Sequence, residues 1–223
     1  MTFNEYPDDE MMAMDVANQL AGELRQALAA QDRALLVVPG GSTPGPVFDA
    51  LCDAALDWSR VDVLLSDERW VPEVHLRSNT RLIRERLLVG RAAEARYLPL
   101  FARAERPEAV LAELERNIEP CLPIAVALLG MGTDMHVASI FPDADKRDEA
   151  LSPDAPVLLA MRVPSEPDIR LTLSARVLRA AMRLHILISG PAKRAALERA
   201  RSLTPQQAPV RAVLEEAQVH WTE

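Results

Sequence analysis

The chain has 223 residues, 49% of them hydrophobic but only 4% aromatic, so Leu, Val, Ile and Ala must fill the interior of an α/β domain. Its formal charge of −8 argues against a general nucleic-acid or anionic-membrane surface, and any anionic ligand needs its own local basic pocket. Cys52 and Cys121 lie far apart without metal-ligand spacing, so no disulfide framework or cysteine metal site is expected, and a reducing cytoplasm is the expected compartment. The acidic, polar stretch Met1 to Glu10 is wrong for a signal peptide, and no apolar run is long enough to span a bilayer.

In chain order, Asp8 to Ala30 carries Met11, Met14, Leu20, Leu24 and Leu28 at three- and four-residue steps and predicts a helix. Ala34 to Val38 reads as a buried strand that runs into Pro39-Gly40-Gly41-Ser42-Thr43-Pro44. Ser42 or Thr43 is expected to cap the following helix, with Pro44 at its first position. A strand, a glycine loop and a helix N-terminus together make either an anion site or a plain capped turn. The loop has neither the P-loop lysine nor GxGxxG, so it indicates a small phosphate site and not a nucleotide site.

Val61 to Leu65 is the second strand, ending in Ser66-Asp67-Glu68-Arg69-Trp70. Four polar residues at a strand end leave two readings of Arg69: a surface salt bridge, or a guanidinium fork held by carboxylates for phosphate or carbonyl oxygen. Ser78-Asn79 caps a helix to about Val89, Tyr97 to Leu100 is short and extended, and Pro107 to Glu119 is helical. Ile124 to Leu129 is a buried strand that breaks at Gly130 and Gly132 and sets Asp134 and His136 on the rim, where open α/β sheets bind ligands. A short helix is expected before Pro142, then an irregular surface loop over Asp143 to Pro156.

Val157 to Val163 and Ile169 to Leu173 read as strands, and Ser174 caps a helix through Ala181. Leu184 to Ile188 is a buried strand ending at Gly190, and Lys193 falls in the first turn of the next helix. A cation is disfavoured there by the helix dipole, so Lys193 is either simply exposed or paired with an anion. Pro209 to Ala217 is a last helix and Val219 to Trp221 a terminal edge strand. Five or more strands alternating with helices give a three-layer α/β/α sandwich with a Rossmann-like, mostly parallel sheet, forming one domain over residues 1–223. Three glycine clusters at strand ends are expected to converge on one sheet edge.

Taken in order, five motifs resemble the 6-phosphogluconolactonase family: Gly40-Gly41-Ser42-Thr43-Pro44; Ser66 to Pro72 with Ser78-Asn79; Gly130 to Asp134 with His136 and Ala138 to Pro142; Arg170 to Leu173; and Gly190 with Lys193. The resemblance covers nearly the whole chain. It implies a phosphorylated sugar lactone as the small-molecule substrate, with no cofactor or metal and no nucleic-acid or membrane partner. It further implies hydrolysis of 6-phosphoglucono-δ-lactone to 6-phosphogluconate in the oxidative pentose phosphate pathway. In that reading His136 is the general base and acid, Asp134 orients its ring, and Arg69 holds the carbonyl oxygen or the phosphate. Ser42, Thr43, Arg170, Lys193 and the amides of Gly40 and Gly41 then bind phosphate.

Two departures stand out: Met135 occupies a position where the family usually has Gly, and Glu166 lies where it is usually basic or neutral. The rival readings are an aminosugar-6-phosphate isomerase/deaminase and a non-catalytic sugar-phosphate binding protein. Ser139-Ile140-Phe141-Pro142, in place of the deaminases' usual Asn-Glu-Pro, favours the lactonase. His75, His185 and His220 carry no expected chemistry, and Ser139 reads as a capping or packing residue.

Overall fold

The computed structural model describes residues 1–223. Strand β1 (Thr2–Tyr6) precedes helix α1 (Asp9–Ala30), then β2 (Ala34–Val38), α2 (Gly45–Leu51), β3 (Val61–Leu65), β4 (Asp67–Arg69) and α3 (Asn79–Arg86). There follow β5 (Arg96–Leu98), α4 (Leu111–Ile118), β6 (Val126–Gly130), α5 (Arg147–Leu151), β7 (Leu158–Met161) and β8 (Arg170–Leu173). The chain ends with α6 (Ala175–Arg179), β9 (Arg183–Ser189), α7 (Pro191–Ala200), α8 (Arg211–Leu214) and β10 (Gln218–Thr222).

Seven strands form one parallel sheet in the order β1-β10-β9-β6-β2-β3-β5, with helices on both sides. Covered on both faces, its central strands are continuous apolar runs and not alternating ones: every residue of β2 and β3 is buried. The one charge in those runs, Asp62, is held by Arg33 and Arg96 at 2.6–2.7 Å, as a buried carboxylate requires. From β2 the chain moves outward through β3 to β5, then returns to β6 on the other side of β2 and moves outward through β9 and β10. The order reverses between β2 and β6, which opens a crevice at their carboxyl ends.

A second sheet of three antiparallel strands, β4-β8-β7, grows from the carboxyl end of β3. Leu173 N–H donates to Ser66 O at 2.9 Å where it joins the large sheet. The main core holds 59 buried residues, and a satellite cluster of eight, including Ile140, Phe141 and Met161, lies with the small sheet.

Four local expectations are corrected. The N-cap of α2 is Pro44, which has no capping side chain, so Ser42 and Thr43 are left outside the helix. No helix follows β6: Met135 and Ala138 have φ of 69° and 49°, which no α-helix contains, and two linked turns fill the segment instead. The Asp143–Pro156 loop contains the short α5. Strand β10 is interior and not an edge, because Thr2–Tyr6 adds a parallel strand outside it.

That added strand is tied to α1 by a run of hydrogen bonds. Tyr6 Oη donates to Asp15 at 2.6 Å and shares a 2.9 Å bond with His220 Nδ1. His220 Nε2 then meets His185 Nδ1 at 2.9 Å, and His185 Nε2 meets Glu23 at 2.7 Å. Burial first, and then the neighbouring imidazole, hold His220 down at about 4 against the opposing influence of Asp15. An unfolded His220 titrates near ~6.5, so between those values the unfolded chain binds more protons and stability falls as pH falls.

Two predictions follow from these features. Urea unfolding should show wild-type protein losing about 2–3 kcal/mol through His220 between pH 7 and pH 4.5, and His220→Gln should flatten that part of the profile; equal profiles would exclude the histidine as its source. At Met135, whose left-handed backbone strains any residue with a Cβ, Met135→Gly should be about 1 kcal/mol more stable than Met135→Ala, the reverse of the order at ordinary positions.

Candidate active site

The crevice between β2 and β6 is a cleft of about 260 Å³. Eight of the nine candidate residues line it: Gly40, Gly41, Ser42 and Thr43 after β2, Arg69 on β4, His136 after β6, Arg170 on β8 and Lys193 on α7. The ninth, Asp134, is not on the wall but stands behind His136. The three glycine loops converge because β9, β6 and β2 are adjacent and parallel.

His136 Nδ1 lies 2.6 Å from Asp134 Oδ1, which also accepts the His136 backbone N–H at 3.2 Å. Burial alone pushes the Asp134 carboxyl up, but the His136 hydrogen bond and charge outweigh it and leave the group below its ordinary value. An ionised carboxylate only accepts, so the Nδ1 proton points at Asp134 and the neutral ring keeps its lone pair on Nε2. The ring also stacks on Phe141, with centroids 4.0 Å apart and planes 24° apart. Gly132 is what admits the pair: a Cβ there would sit 2.3 Å from both Asp134 Oδ1 and His136 Nδ1.

Arg69 and Arg170 are direct partners across the antiparallel β4–β8 ladder. Like charges opposed in this way repel, so each needs a counterweight. Arg69 is restrained by neutral groups: Nη1 donates to Arg77 O at 2.9 Å and to Asn79 Oδ1 at 2.8 Å, and the Nε/Nη2 edge has no protein acceptor. Arg170 is only 6% exposed. Its Nη2 donates to Glu166, Nη1 donates to Ser139 Oγ at 3.4 Å and lies 3.7 Å from Asp67, and buried Nε has no partner at all. The Lys193 ammonium is pulled below its ordinary value by burial alone, with no carboxylate acting on it. On the facing wall the amides of Gly40, Gly41, Ser42 and Thr43 donate to no protein acceptor, and Gly41 turns at φ +90° over open space. Free N–H groups, two guanidinium edges and an unpaired ammonium around one cleft make an anion receptor.

Several residues that shape the cleft fall inside the motifs but carry no cleft role in the sequence reading. Asn79 lies just past the cap Ser78, yet its amide bridges Arg69 and Asp67 O, and it fills the space a Cβ on Gly40 would need, 2.0 Å away. Its place in the second motif and two cap-type residues in tandem, of which just one can cap, were the available signals. Glu68 is buried and accepts from Arg69 N, Asn79 N, Thr80 N and the Ser78 and Thr80 hydroxyls, which clamps β4 to the start of α3. Ser139, read as a capping or packing residue, caps no helix: it is fully buried and its hydroxyl donates to Asp67 at 2.6 Å.

Residues 7–221 match the family described as glucosamine-6-phosphate isomerases/6-phosphogluconolactonase. The chain is 44% identical to the 6-phosphogluconolactonase of Pseudomonas aeruginosa, over 94% of this chain and 90% of that one. It is 38% identical to the 6-phosphogluconolactonase of Rhizobium meliloti, over 97% and 96%. Among solved structures, a 6-phosphogluconolactonase from Shewanella baltica superposes with a TM-score of 0.96 at 31% identity, covering 100% of this chain and 98% of that one. A cleft at the strand-order reversal, lined by the motifs in register, and matches that run almost end to end place this chain in the glucosamine-6-phosphate isomerase/6-phosphogluconolactonase family.

Proposed function

We propose that the protein hydrolyses 6-phosphoglucono-δ-lactone to 6-phosphogluconate, the lactonase step of the oxidative pentose phosphate pathway, and that residues 1–223 act as one catalytic domain. The observation that carries this reading is a carboxylate-oriented imidazole in one cleft with an unpaired ammonium and two arginines that each keep N–H groups without a protein acceptor. A proton carrier serves hydrolysis, whereas binding alone needs none. The relatives named above support the substrate. The two free cysteines suit a cytoplasmic setting, and no helix is long and apolar enough to cross a membrane.

In the proposed reaction, His136 Nε2 takes a proton from water as the oxygen attacks the lactone carbonyl carbon. The Asp134 carboxylate stabilises the imidazolium that forms. The open edge of the Arg69 guanidinium receives the negative charge that develops on the carbonyl oxygen. When the tetrahedral intermediate collapses, the bond to the ring oxygen breaks and His136 returns its proton to that oxygen. The free acid then ionises to the carboxylate. Arg170, Lys193, Ser42, Thr43 and the amides of Gly40 and Gly41 hold the phosphoryl group throughout.

The deaminase alternative lacks a side chain to carry it. Ser139 and Ile140, where such an enzyme would present a carboxylate, are both fully buried. Ammonia release from glucosamine 6-phosphate would nonetheless overturn the lactonase reading.

In an assay with freshly made lactone, corrected for spontaneous hydrolysis, His136→Asn should lower kcat by roughly 10²–10⁴-fold while the protein stays folded; near-wild-type turnover would remove His136 from the mechanism. Lys193→Ala and Arg170→Ala should each raise KM for the phosphorylated lactone well above any change for plain gluconolactone. Equal effects on both substrates would refute the phosphoryl assignment.

A further inference from the structure

Of the three cations in the cleft, only Arg170 is engaged by carboxylates. Arg69 has neutral partners and Lys193 has none. The two carboxylates on Arg170 are held very differently. Asp67 is buried and fixed by the hydroxyls of Ser66 at 2.9 Å and Ser139 at 2.6 Å. Glu166 sits on the turn Pro164-Ser165-Glu166-Pro167, outside the cleft wall, with its side chain 32% exposed. The one hydrogen-bond donor to its carboxylate is Arg170 Nη2, and its other oxygen has none. It can rotate into water without leaving any other group unpaired.

On the same guanidinium, buried Nε has no partner. A phosphoryl group that takes Nε and Nη2 together, the usual two-point fork, meets Glu166 already on Nη2. We propose that Glu166 is a displaceable competitor: it neutralises Arg170 in the free protein and gives way to the incoming phosphoryl oxygens. This rests on the phosphoryl reading of the cleft and adds a residue that acts through Arg170 without touching the reacting atoms. The consequence is a site of reduced affinity, selective for a dianion that can outcompete a carboxylate, with the repulsion between Arg69 and Arg170 damped while no ligand is bound.

The test is calorimetric titration of the full chain with inorganic phosphate, for wild type, Glu166→Gln, Glu166→Ala, Arg170→Ala and the Glu166→Gln/Arg170→Ala pair. Removing the charge should tighten phosphate binding on the order of 3- to 10-fold. It should lower KM for the phosphorylated lactone by a similar factor and leave KM for plain gluconolactone in place. In the Arg170→Ala background the Glu166 effect should vanish. Unchanged or weaker phosphate binding in both Glu166 variants would overturn the proposal, the weaker case identifying Glu166 as a strut for Arg170. An Arg170→Ala protein that binds phosphate as wild type does would instead remove the phosphoryl site, and with it the functional reading. An Arg170 effect without a Glu166 effect would remove only the competitor.

Discussion

Two arginines face each other across one short antiparallel ladder, and most of the cleft is arranged around that repulsion. A ladder of three residue pairs cannot by itself hold two guanidinium groups side by side. The burden falls on what lies behind them. Glu68, buried on β4 beside Arg69, accepts five hydrogen bonds, four of them from the start of helix α3, and so fixes Asn79. Asn79 in turn fixes Arg69. Asp67, locked by two serine hydroxyls, and Glu166 from a surface turn balance Arg170. In a chain with a formal charge of −8, whose overall field repels anions, this pocket supplies the local positive charge that an anionic ligand needs, at the cost of setting two arginines against each other. An anion relieves the conflict, so the ligand-free site stores a preference for one.

The His136 imidazole is held by different means. Its position depends on a loop that tolerates left-handed backbone at Met135 and Ala138 and an absent side chain at Gly132. Strain of this kind persists only when the surroundings over-determine it. Here they do: Gly132 N–H donates to His136 O, Ile140 N–H donates to Val137 O, and Ser139 N–H donates to the Thr172 hydroxyl of the small sheet. Phe141, part of the satellite core, stacks with His136 and lies 5.2 Å from the Arg170 guanidinium carbon. One aromatic ring therefore lies against both His136 and Arg170, the side chains proposed for proton transfer and for phosphoryl binding. The small antiparallel sheet is the frame that fixes the distance between them.

Much of this was legible in the chain itself. The buried strands announced themselves as apolar runs, and glycines at three strand ends marked the rim. The types Arg, Lys, His and Asp at those ends named the groups from which an anion site with a proton carrier is proposed, beside the plainer readings of a capped turn and surface ion pairs. The resemblance, not the local pattern, marks Met135 as standing where the family usually has Gly, and its φ of 69° is the left-handed angle that glycine favours. Local signals failed where a partner distant in sequence decided the outcome. Thr2–Tyr6 carries little hydrophobic pattern, and becomes a strand because β10, more than two hundred residues later, offers it a free edge. Ser42 and Thr43 looked like caps because they precede a helix, but the proline after them took the cap position.

What the sequence determined alone was the inventory: an α/β chain, its motifs in order, and the chemistry those side chains can perform. Periodicity and residue type are properties of neighbours along the chain, so they are readable there. Tertiary structure decided the pairings. It put Arg69 opposite Arg170, placed Asn79 against Gly40, turned Nδ1 of His136 toward Asp134, and gave Glu166 to Arg170. These contacts depend on strand order and register, which are set by burial of the whole core and not by any local stretch.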